Sequence, residues 1–202
     1  MAAEQTPDPL VLADLAAWHE WLMENEGSSD GVWLMLAKKG KVAPTTLTYQ
    51  EALEEALCGG WIDGQRRTLD ELSFRQRFTP RRARSLWSQR NVELIARLAT
   101  EGRLREGGVR EVDRARADGR WGRAYAGPAT AEAPAELTAA LAASPSAEAA
   151  FARLGRTARY WALHPILTAP SEATAARRIA SLIARLETER APSPALVVTL
   201  SS

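Results

Sequence analysis

The sequence predicts an α+β fold, in which helices pack on a small antiparallel sheet of about three strands and the C-terminal half is helical. Residues 32–36, VWLML, are apolar at every position, which is typical of a short buried strand. Residues 61–68 and 73–79 have the polarity pattern of the two strands of a hairpin. Apolar side chains recur at helical spacing over Leu12–Met23 and again beyond Pro80, so these parts are predicted to be helical.

The helix before the hairpin has clear boundaries. Thr48 and Glu51 form a capping box, in which each side chain satisfies a backbone N–H of the first turn. The helix is predicted to end at Cys58, followed by Gly59 in the left-handed conformation. Its alanines and leucines form one apolar face, so its glutamates, Glu55 among them, are expected to point away from the core.

The hairpin pattern also places a carboxylate. If Ile62 packs with the phenylalanines of the second strand, strict alternation puts Asp63 on the opposite face of the sheet. That face carries Arg67, Arg75 and Arg77. Asp63 is therefore expected to face arginines.

The chain is predicted to have four parts. They are an α+β core over residues 1–125, a Pro/Ala linker over 126–136, a helical region over 137–190 and a disordered tail over 191–202. Three helices are expected in the helical region: Leu137–Ala143, a helix that begins at Ser144-Pro145 and stops at Gly155, and a helix from about Ser171 to Glu189.

Composition argues against several classes of function. The 202 residues carry 26 Lys+Arg and 25 Asp+Glu, whereas a general nucleic-acid binder is usually strongly basic, so no nucleic-acid partner is expected. The N-terminus lacks the features of a secretory signal, and no apolar run approaches the ~20 residues of a membrane span, so we expect a cytoplasmic protein. His19 and His164 are far apart and have no cysteine or acidic residue at ligand spacing, so no metal site and no cofactor are expected. The single cysteine, Cys58, is predicted to be buried and inert.

The richest candidate site is Thr79–Asn91, where arginines and serines lead into the N-terminus of a helix capped by Ser88. First-turn N–H groups are unpaired and the helix dipole is positive there, so an anion can bind. Arginine supplies fork-shaped donors for phosphate or carboxylate. The candidate ligand-binding residues are two arginines to hold the anion, three polar side chains to orient it and two tryptophans to wall the pocket: Arg81, Arg82, Ser85, Ser88, Asn91, Trp61 and Trp87.

Structural alternatives apply to the same residues. Ser88 can act only as a cap, Trp87 only as a core residue, and the arginines can pair with nearby acidic residues. Asp63, which stands close to Gly60 and Gly64, is either the partner of an arginine or, if burial raises its pKa, a general acid or base. Guanidinium groups would lower its pKa, which favours the ion pair. Asp63 joins the candidate ligand-binding residues and is the single catalytic candidate.

Several blocks of the sequence resemble one family. They are T-Y-x-E-A-x-x-E-A-L-C-x-G-W-I-D-G at Thr48–Gly64, F-T-P-R-R-x-x-S-x-W-S-x-x-N at Phe78–Asn91 and E-G-R at Glu101–Arg103, with the later D-G-R-W at Asp118–Trp121. On these blocks the chain is similar, over about residues 9–190, to the YdeI/OmpD-associated (OmdA-type) bacteriocin-protection family.

The resemblance implies protection against bacteriocins or other antimicrobial stress and association with an outer-membrane porin. It transfers no catalytic residue. Lys38 and Tyr49 are motif positions, and together with Arg66 they are further contributors to the predicted site. Gly59 and Ala175 stand where a larger residue and an arginine are expected. The second of these departures weakens a docking role for the C-terminal helices.

The sequence therefore predicts a stress or antimicrobial-resistance protein of undetermined biochemistry. It is expected to bind an anionic or polar small molecule at the helix N-terminus that is rich in arginine and serine. Two other classes stay open. In a protein-interaction module the polar motif would be structural and the C-terminal helices would present the binding surface. In an enzyme Asp63 would act as acid or base.

Overall fold

The computed structural model describes residues 8–188 and has the predicted α+β architecture. In chain order the elements are α1 (Leu15–Asn25), β1 (Val32–Ala37), α2 (Tyr49–Cys58), β2 (Trp61–Thr68), β3 (Ser73–Pro80), α3 (Gln89–Thr100), α4 (Glu106–Ala117), α5 (Ala135–Ala142), α6 (Pro145–Ala152), α7 (Arg156–Leu167) and α8 (Glu172–Thr188). The chain divides into two compact units, of which the first ends at Ala124 and the second begins at Tyr125. No helix within the described residues is long and apolar enough to cross a membrane. The predicted disordered tail, 191–202, lies outside the described residues.

The sheet of the first unit is antiparallel, with strand order β1-β3-β2. The pairs Leu36–Phe74 and Val32–Phe78 share one face, because residues directly opposite each other in an antiparallel pair lie on the same side. Phe74 and Phe78 pack in one buried cluster with Trp18 of α1 and with the alanines of α2. The prediction of a three-stranded antiparallel sheet packed by helices is confirmed.

The hairpin departs from strict alternation at a β-bulge. Asp63 pairs with Phe78 but Arg66 pairs with Gln76, so two residues of β2 oppose one residue of β3. Gln76 is buried, and its Nε2 donates to the carbonyl oxygens of both intervening residues of β2, at 2.9 and 3.2 Å. The predicted placement of Asp63 on the arginine-bearing face is wrong, because the bulge puts it on the face of Phe78. Ile62 accordingly packs against a different cluster, formed by side chains of α2, α3 and α4.

Glycines are needed both in the connection from α2 to β2 and where α4 contacts the end of α2. The left-handed residue is Gly60, with φ +82°, one position after the predicted Gly59, whose φ is −92°. A Cβ on Gly108 would lie 2.4 Å from the carbonyl oxygen of Cys58, and one on Gly107 would lie 2.3 Å from that of Gly59. The end of α2 and the start of α4 are therefore in direct backbone contact.

A second cluster of the first unit lies where α2, α3 and α4 meet. Its buried members include Leu53 and Leu57 of α2, Ile95 of α3 and Val112 of α4. Trp87, which precedes α3, is buried in the same cluster. This packing fixes the chain segment in which the sequence predicts a site.

The second unit packs α5–α8 around a core that includes Leu137, Leu163 and Ile179. The sequence pattern predicts three helices here, and α7 is additional. Gly155, expected as a stop, is the N-cap of α7, and Pro165 lies inside the last turn of α7. A proline there removes one helical hydrogen bond and its ring crowds the carbonyl group of Trp161, and burial of Leu163 and Ile166 offsets this cost.

Candidate functional site

Residues 81–88, which connect β3 to α3, form what we call the arginine loop. Arg81 is 6% exposed, and its Nη1 donates to the carbonyl oxygen of Leu86 at 3.2 Å. Its guanidinium carbon lies 3.5 Å from the ring centroid of Trp87, in cation–π geometry. Its backbone N–H donates to the carbonyl oxygen of Gly60 at 3.0 Å, which ties the loop to the α2–β2 connection. The structure thus brings the predicted residues Arg81 and Trp87 together.

Arg120 joins this loop, although the sequence predicts no role for it. It is 9% exposed, its Nε donates to Asp118 Oδ2 at 2.8 Å, and its Nη1 donates to the carbonyl oxygen of Ser85 at 2.7 Å. Because Ser85 and Leu86 are consecutive, the guanidinium groups of Arg120 and Arg81 bind neighbouring carbonyl groups. The sequence feature that points to Arg120 is the D-G-R-W block, Asp118–Trp121, in which it lies.

Two buried donors of this cluster have no hydrogen-bond partner within residues 8–188: Trp87 Nε1 and Arg120 Nη2. A buried donor without a partner costs about 1–3 kcal/mol. Indole and guanidinium N–H groups only donate, so the group that complements them is an acceptor. Beside two guanidinium groups, an anionic acceptor gains most.

The predicted serines and Asn91 stabilise the loop and the start of α3. Ser85 Oγ accepts from the backbone N–H of Arg82 at 3.0 Å. Ser88 is the N-cap of α3, as predicted, and its Oγ accepts from the backbone N–H of Asn91 at 3.2 Å. Each hydroxyl still has its own O–H to donate. Arg82 is exposed at the surface of the loop, whereas Asn91 is buried.

Asp63 lies next to Tyr49, another predicted contributor. Tyr49 Oη donates to Asp63 Oδ2 at 2.7 Å, so a phenol takes the place of the expected arginine. Burial and then the Asp63 carboxylate raise the pKa of Tyr49, which therefore stays protonated and remains a donor. The guanidinium carbon of Arg90 lies 5.7 Å from the Tyr49 ring centroid. The bulge in β2 makes this contact possible, since it turns Asp63 towards α2.

Three predicted residues lie elsewhere. Trp61 is fully buried in the core under the sheet, and its Nε1 donates to the carbonyl oxygen of Glu26 at 3.2 Å. Lys38 Nζ donates to the carbonyl oxygen of Asp70 at 2.6 Å, at the opposite end of β3 from the arginine loop. Arg66 covers the Phe74 ring, with its guanidinium carbon 3.7 Å from the centroid.

A second polar cluster was missed by the sequence analysis. Glu55 is 6% exposed, although its helix pattern predicts that it points away from the core. Its carboxylate binds Arg105 Nη1, lies 2.8 Å from His19 Nδ1 and 3.3 Å from Arg103 Nη2. Arg105 also donates to Glu26, at 2.9 Å. Residues after α3, including the Arg103 of the E-G-R block, therefore cover a glutamate that the helix alone would leave exposed.

The charges of this cluster offset one another. Burial would raise the pKa of Glu55, but the hydrogen bonds from His19 and Arg105 outweigh it and hold that pKa below its usual range. The cluster lines a groove of about 770 Å³ beside α1. With its arginines bound to glutamates, the cluster joins α1, α2 and the α3–α4 connection by ion pairs.

Cys58 lies fully buried at the end of α2. Burial, reinforced by the Glu55 carboxylate, raises the pKa of its thiol to about 11. The thiol is therefore protonated at neutral pH and is a poor nucleophile. The predicted inertness of Cys58 agrees with this environment.

Comparison with known families divides the chain in two. The model of the family described as "Domain of unknown function (DUF8412)" matches residues 10–111, half of the chain. The model of OmdA, "Bacteriocin-protection, YdeI or OmpD-Associated", matches residues 130–189, so the motif blocks of the first half lie outside that match. Neither the curated proteins nor the solved structures contain a match to the chain. The chain belongs to the DUF8412 family through residues 10–111, and its residues 130–189 are similar to the OmdA, or YdeI/OmpD-associated, bacteriocin-protection family.

Proposed function

We propose that this protein is a cytoplasmic resistance or stress protein of the bacteriocin-protection type, and that it acts by binding a small anionic molecule at the arginine loop. The OmdA match supports the first part of this proposal. The observation that carries the second part is the pair of buried donors without a partner among residues 8–188, Trp87 Nε1 and Arg120 Nη2.

The surrounding charges favour an anion. Arg81 and Arg120 donate to neighbouring carbonyl groups, and Arg82 lies exposed on the same loop. Arg116 adds a further guanidinium group, whose carbon lies 5.2 Å from the ring centroid of Trp121. Asp118 is the carboxylate bound to Arg120, and it is exposed. A ligand oxygen would therefore meet positive charge and N–H donors in a largely desolvated setting, where electrostatic interactions are stronger than in water.

The residues of the arginine loop and Arg120 have distinct roles in this proposal. Arg81 and Arg82 provide the positive charge, and Arg120 adds a buried fork. Ser85 and Ser88 fix the loop with their oxygen atoms and offer their O–H groups to the ligand. Trp87 supplies one donor and the aromatic wall.

The test is isothermal titration calorimetry of the full chain with inorganic phosphate, pyrophosphate and citrate as probes. We expect saturable binding of at least one of them. Arg120→Lys keeps the charge but loses the fork, so we expect it to bind at least about tenfold more weakly, the loss that corresponds to one charge-assisted hydrogen bond.

The matched control is Arg114→Lys. Arg114 is an exposed arginine of α4 that pairs with Glu111 at 2.8 Å. Its substitution is expected to leave the affinity unchanged. Absence of saturable binding for all three probes, or equal affinities for the two variants, would show the proposal to be wrong.

A further inference from the structure

A separate cavity lies in the second unit, against α7. Its volume is about 290 Å³. Arg156, Arg159 and Tyr160 line it on the α7 side, and Pro128 and Ala131 line it from the segment that precedes α5. The cavity shares no residue with the arginine loop, so a binding site in the cavity would be independent of the proposed function.

Two arginines and no acidic residue line the cavity. Within the described chain neither Arg156 nor Arg159 forms an ion pair with an acidic side chain. The 23 residues from 149 to 171 contain no Asp or Glu at all. The guanidinium carbon of Arg159 lies 4.8 Å from the ring centroid of Phe151, which restricts the arrangement of this side chain at the cavity.

Tyr160 adds a neutral donor. The residue is 9% exposed, and its ring packs on His164, with ring centroids 5.5 Å apart. Burial, with a smaller effect of Tyr125, raises the pKa of the Tyr160 hydroxyl. The hydroxyl therefore keeps its proton at neutral pH and can donate to an anion.

We propose that this cavity binds the phosphate group of a small phosphorylated molecule. Two guanidinium forks and one hydroxyl can donate about five hydrogen bonds, which exceeds the roughly four acceptor sites of a carboxylate but not those of the terminal oxygens of a phosphate. The volume of about 290 Å³ lies just below the roughly 300–1,000 Å³ found for small-molecule pockets, so it suits one phosphate with a few attached atoms.

An exposed aromatic ring beside the cavity gives the phosphate two possible sources. Trp161 follows Tyr160 in α7, is 63% exposed and lies edge-to-face with the Tyr160 ring at 5.4 Å between centroids. An exposed tryptophan next to arginines is typical of membrane-interface contacts, but it also suits a soluble ligand that packs on the ring. The phosphate can therefore belong to a soluble metabolite or to a phospholipid headgroup.

The first arm of the test follows the indole N–H resonance of Trp161 by NMR while the full chain is titrated with glycerol 3-phosphate. Glycerol, which lacks the phosphate, is the matched ligand control. We expect a saturable shift with glycerol 3-phosphate, and an affinity at least about tenfold lower for Arg156→Gln and for Arg159→Gln, each of which removes one charged fork. Arg153→Gln is the control variant, because Arg153 is an exposed arginine nearby that does not line the cavity.

The second arm measures sedimentation of the same proteins with phosphatidylglycerol vesicles and with phosphatidylcholine vesicles. Binding in either arm that requires both Arg156 and Arg159 supports the phosphate site, and the arm in which it occurs identifies the source. Binding that Arg153→Gln weakens as much as the cavity variants do is general charge attraction and would overturn the proposal. So would the absence of cavity-dependent binding in both arms. Arg120→Lys is expected to leave both arms unchanged, so failure at the arginine loop is distinguishable from failure here.

Discussion

A single inserted residue decides what Asp63 does. The β-bulge turns its carboxylate from the arginine face towards α2, where Tyr49 Oη donates to it at 2.7 Å. The sequence identifies both residues as motif positions, but it does not show the bulge, because residues 63–68, DGQRRT, contain no apolar side chain whose alternation would reveal a shift of one residue. Gln76, whose amide satisfies the bulge, looks in the sequence like any residue of an alternating strand.

The Tyr49–Asp63 contact predicts a measurable coupling. Tyr49→Phe removes the donor and leaves a half-buried carboxylate without its hydrogen bond, so we expect the free energy of unfolding to fall by about 1–3 kcal/mol. Urea denaturation measures this, and a double-mutant cycle with Asp63→Asn isolates the pair. If the two substitutions are additive, the contact contributes nothing and the assigned role of the bulge is wrong.

Glu55 predicts how stability depends on pH. The pKa of Glu55 is lowered in the folded protein, so the unfolded chain binds more protons than the native one over the acidic range. Its stabilisation is complete above the ordinary glutamate pKa of about 4.3 and is lost as the pH falls through the lower, folded-state value. Glu55→Gln is expected to lower the free energy of unfolding by about 3 kcal/mol at pH 7, as for other broken buried ion pairs.

The check on Glu55 is urea denaturation of wild type and variant from pH 7 to pH 3. The difference between them should shrink as the pH falls, because wild type loses the contribution that the variant lacks. Glu106→Gln is the control, since Glu106 is an exposed residue that pairs with Arg110, and we expect it to stay within about 0.5 kcal/mol of wild type. A difference for Glu55→Gln that is constant with pH would contradict the ion-pair assignment.

At the scale of elements, the crossing of α2 and α4 depends on glycine. Local signals predict where a helix begins, as the capping box at Thr48 does for α2 and the cap at Ser88 does for α3. They do not predict which helices touch, and so the pairing of Gly107 and Gly108 with the end of α2 was not foreseen. The same limit explains α7, where Gly155 and Pro165 resemble breaks and only tertiary burial of the helix outweighs them.

Gly108→Ala tests the crossing. The new Cβ would lie 2.4 Å from the carbonyl oxygen of Cys58, a backbone atom that cannot move without shifting α2. We expect a destabilisation of about 1–3 kcal/mol or more, seen as a fall in Tm. Gly127→Ala is the matched control, since a Cβ there meets no atom within 4 Å. An unchanged Tm for Gly108→Ala would contradict the close backbone contact.

At the scale of the whole molecule, each unit has its own core. The first unit buries two clusters built on the sheet and on α1–α4, and the second buries one cluster built on α5–α8. The boundary between Ala124 and Tyr125 falls outside every helix and strand of the described chain. The family matches follow the same division, since they cover residues 10–111 and 130–189.

The separate cores predict that the fragment 125–202 folds by itself. We expect its circular dichroism to show helix and its thermal unfolding to be cooperative, because the buried residues of its core all lie within the fragment. Leu163→Asp, which places a charge in that core, is the control and should abolish the transition. A helix-free spectrum for the unmodified fragment would contradict this division of the chain.

The most direct test of anion binding at the arginine loop is the NMR signal of the Trp87 indole N–H during titration with the tightest-binding of the three anions. Trp18 and Trp61 serve as internal controls, because their indole N–H groups already donate to the carbonyl oxygens of Ala52 and Glu26, at 3.1 and 3.2 Å. We predict that the Trp87 signal, assigned by its loss in Trp87→Phe, shifts saturably while those of Trp18 and Trp61 stay in place, and that Arg120→Lys needs at least about tenfold more anion for the same shift. A Trp87 signal that does not move while calorimetry shows the anion bound would contradict the account.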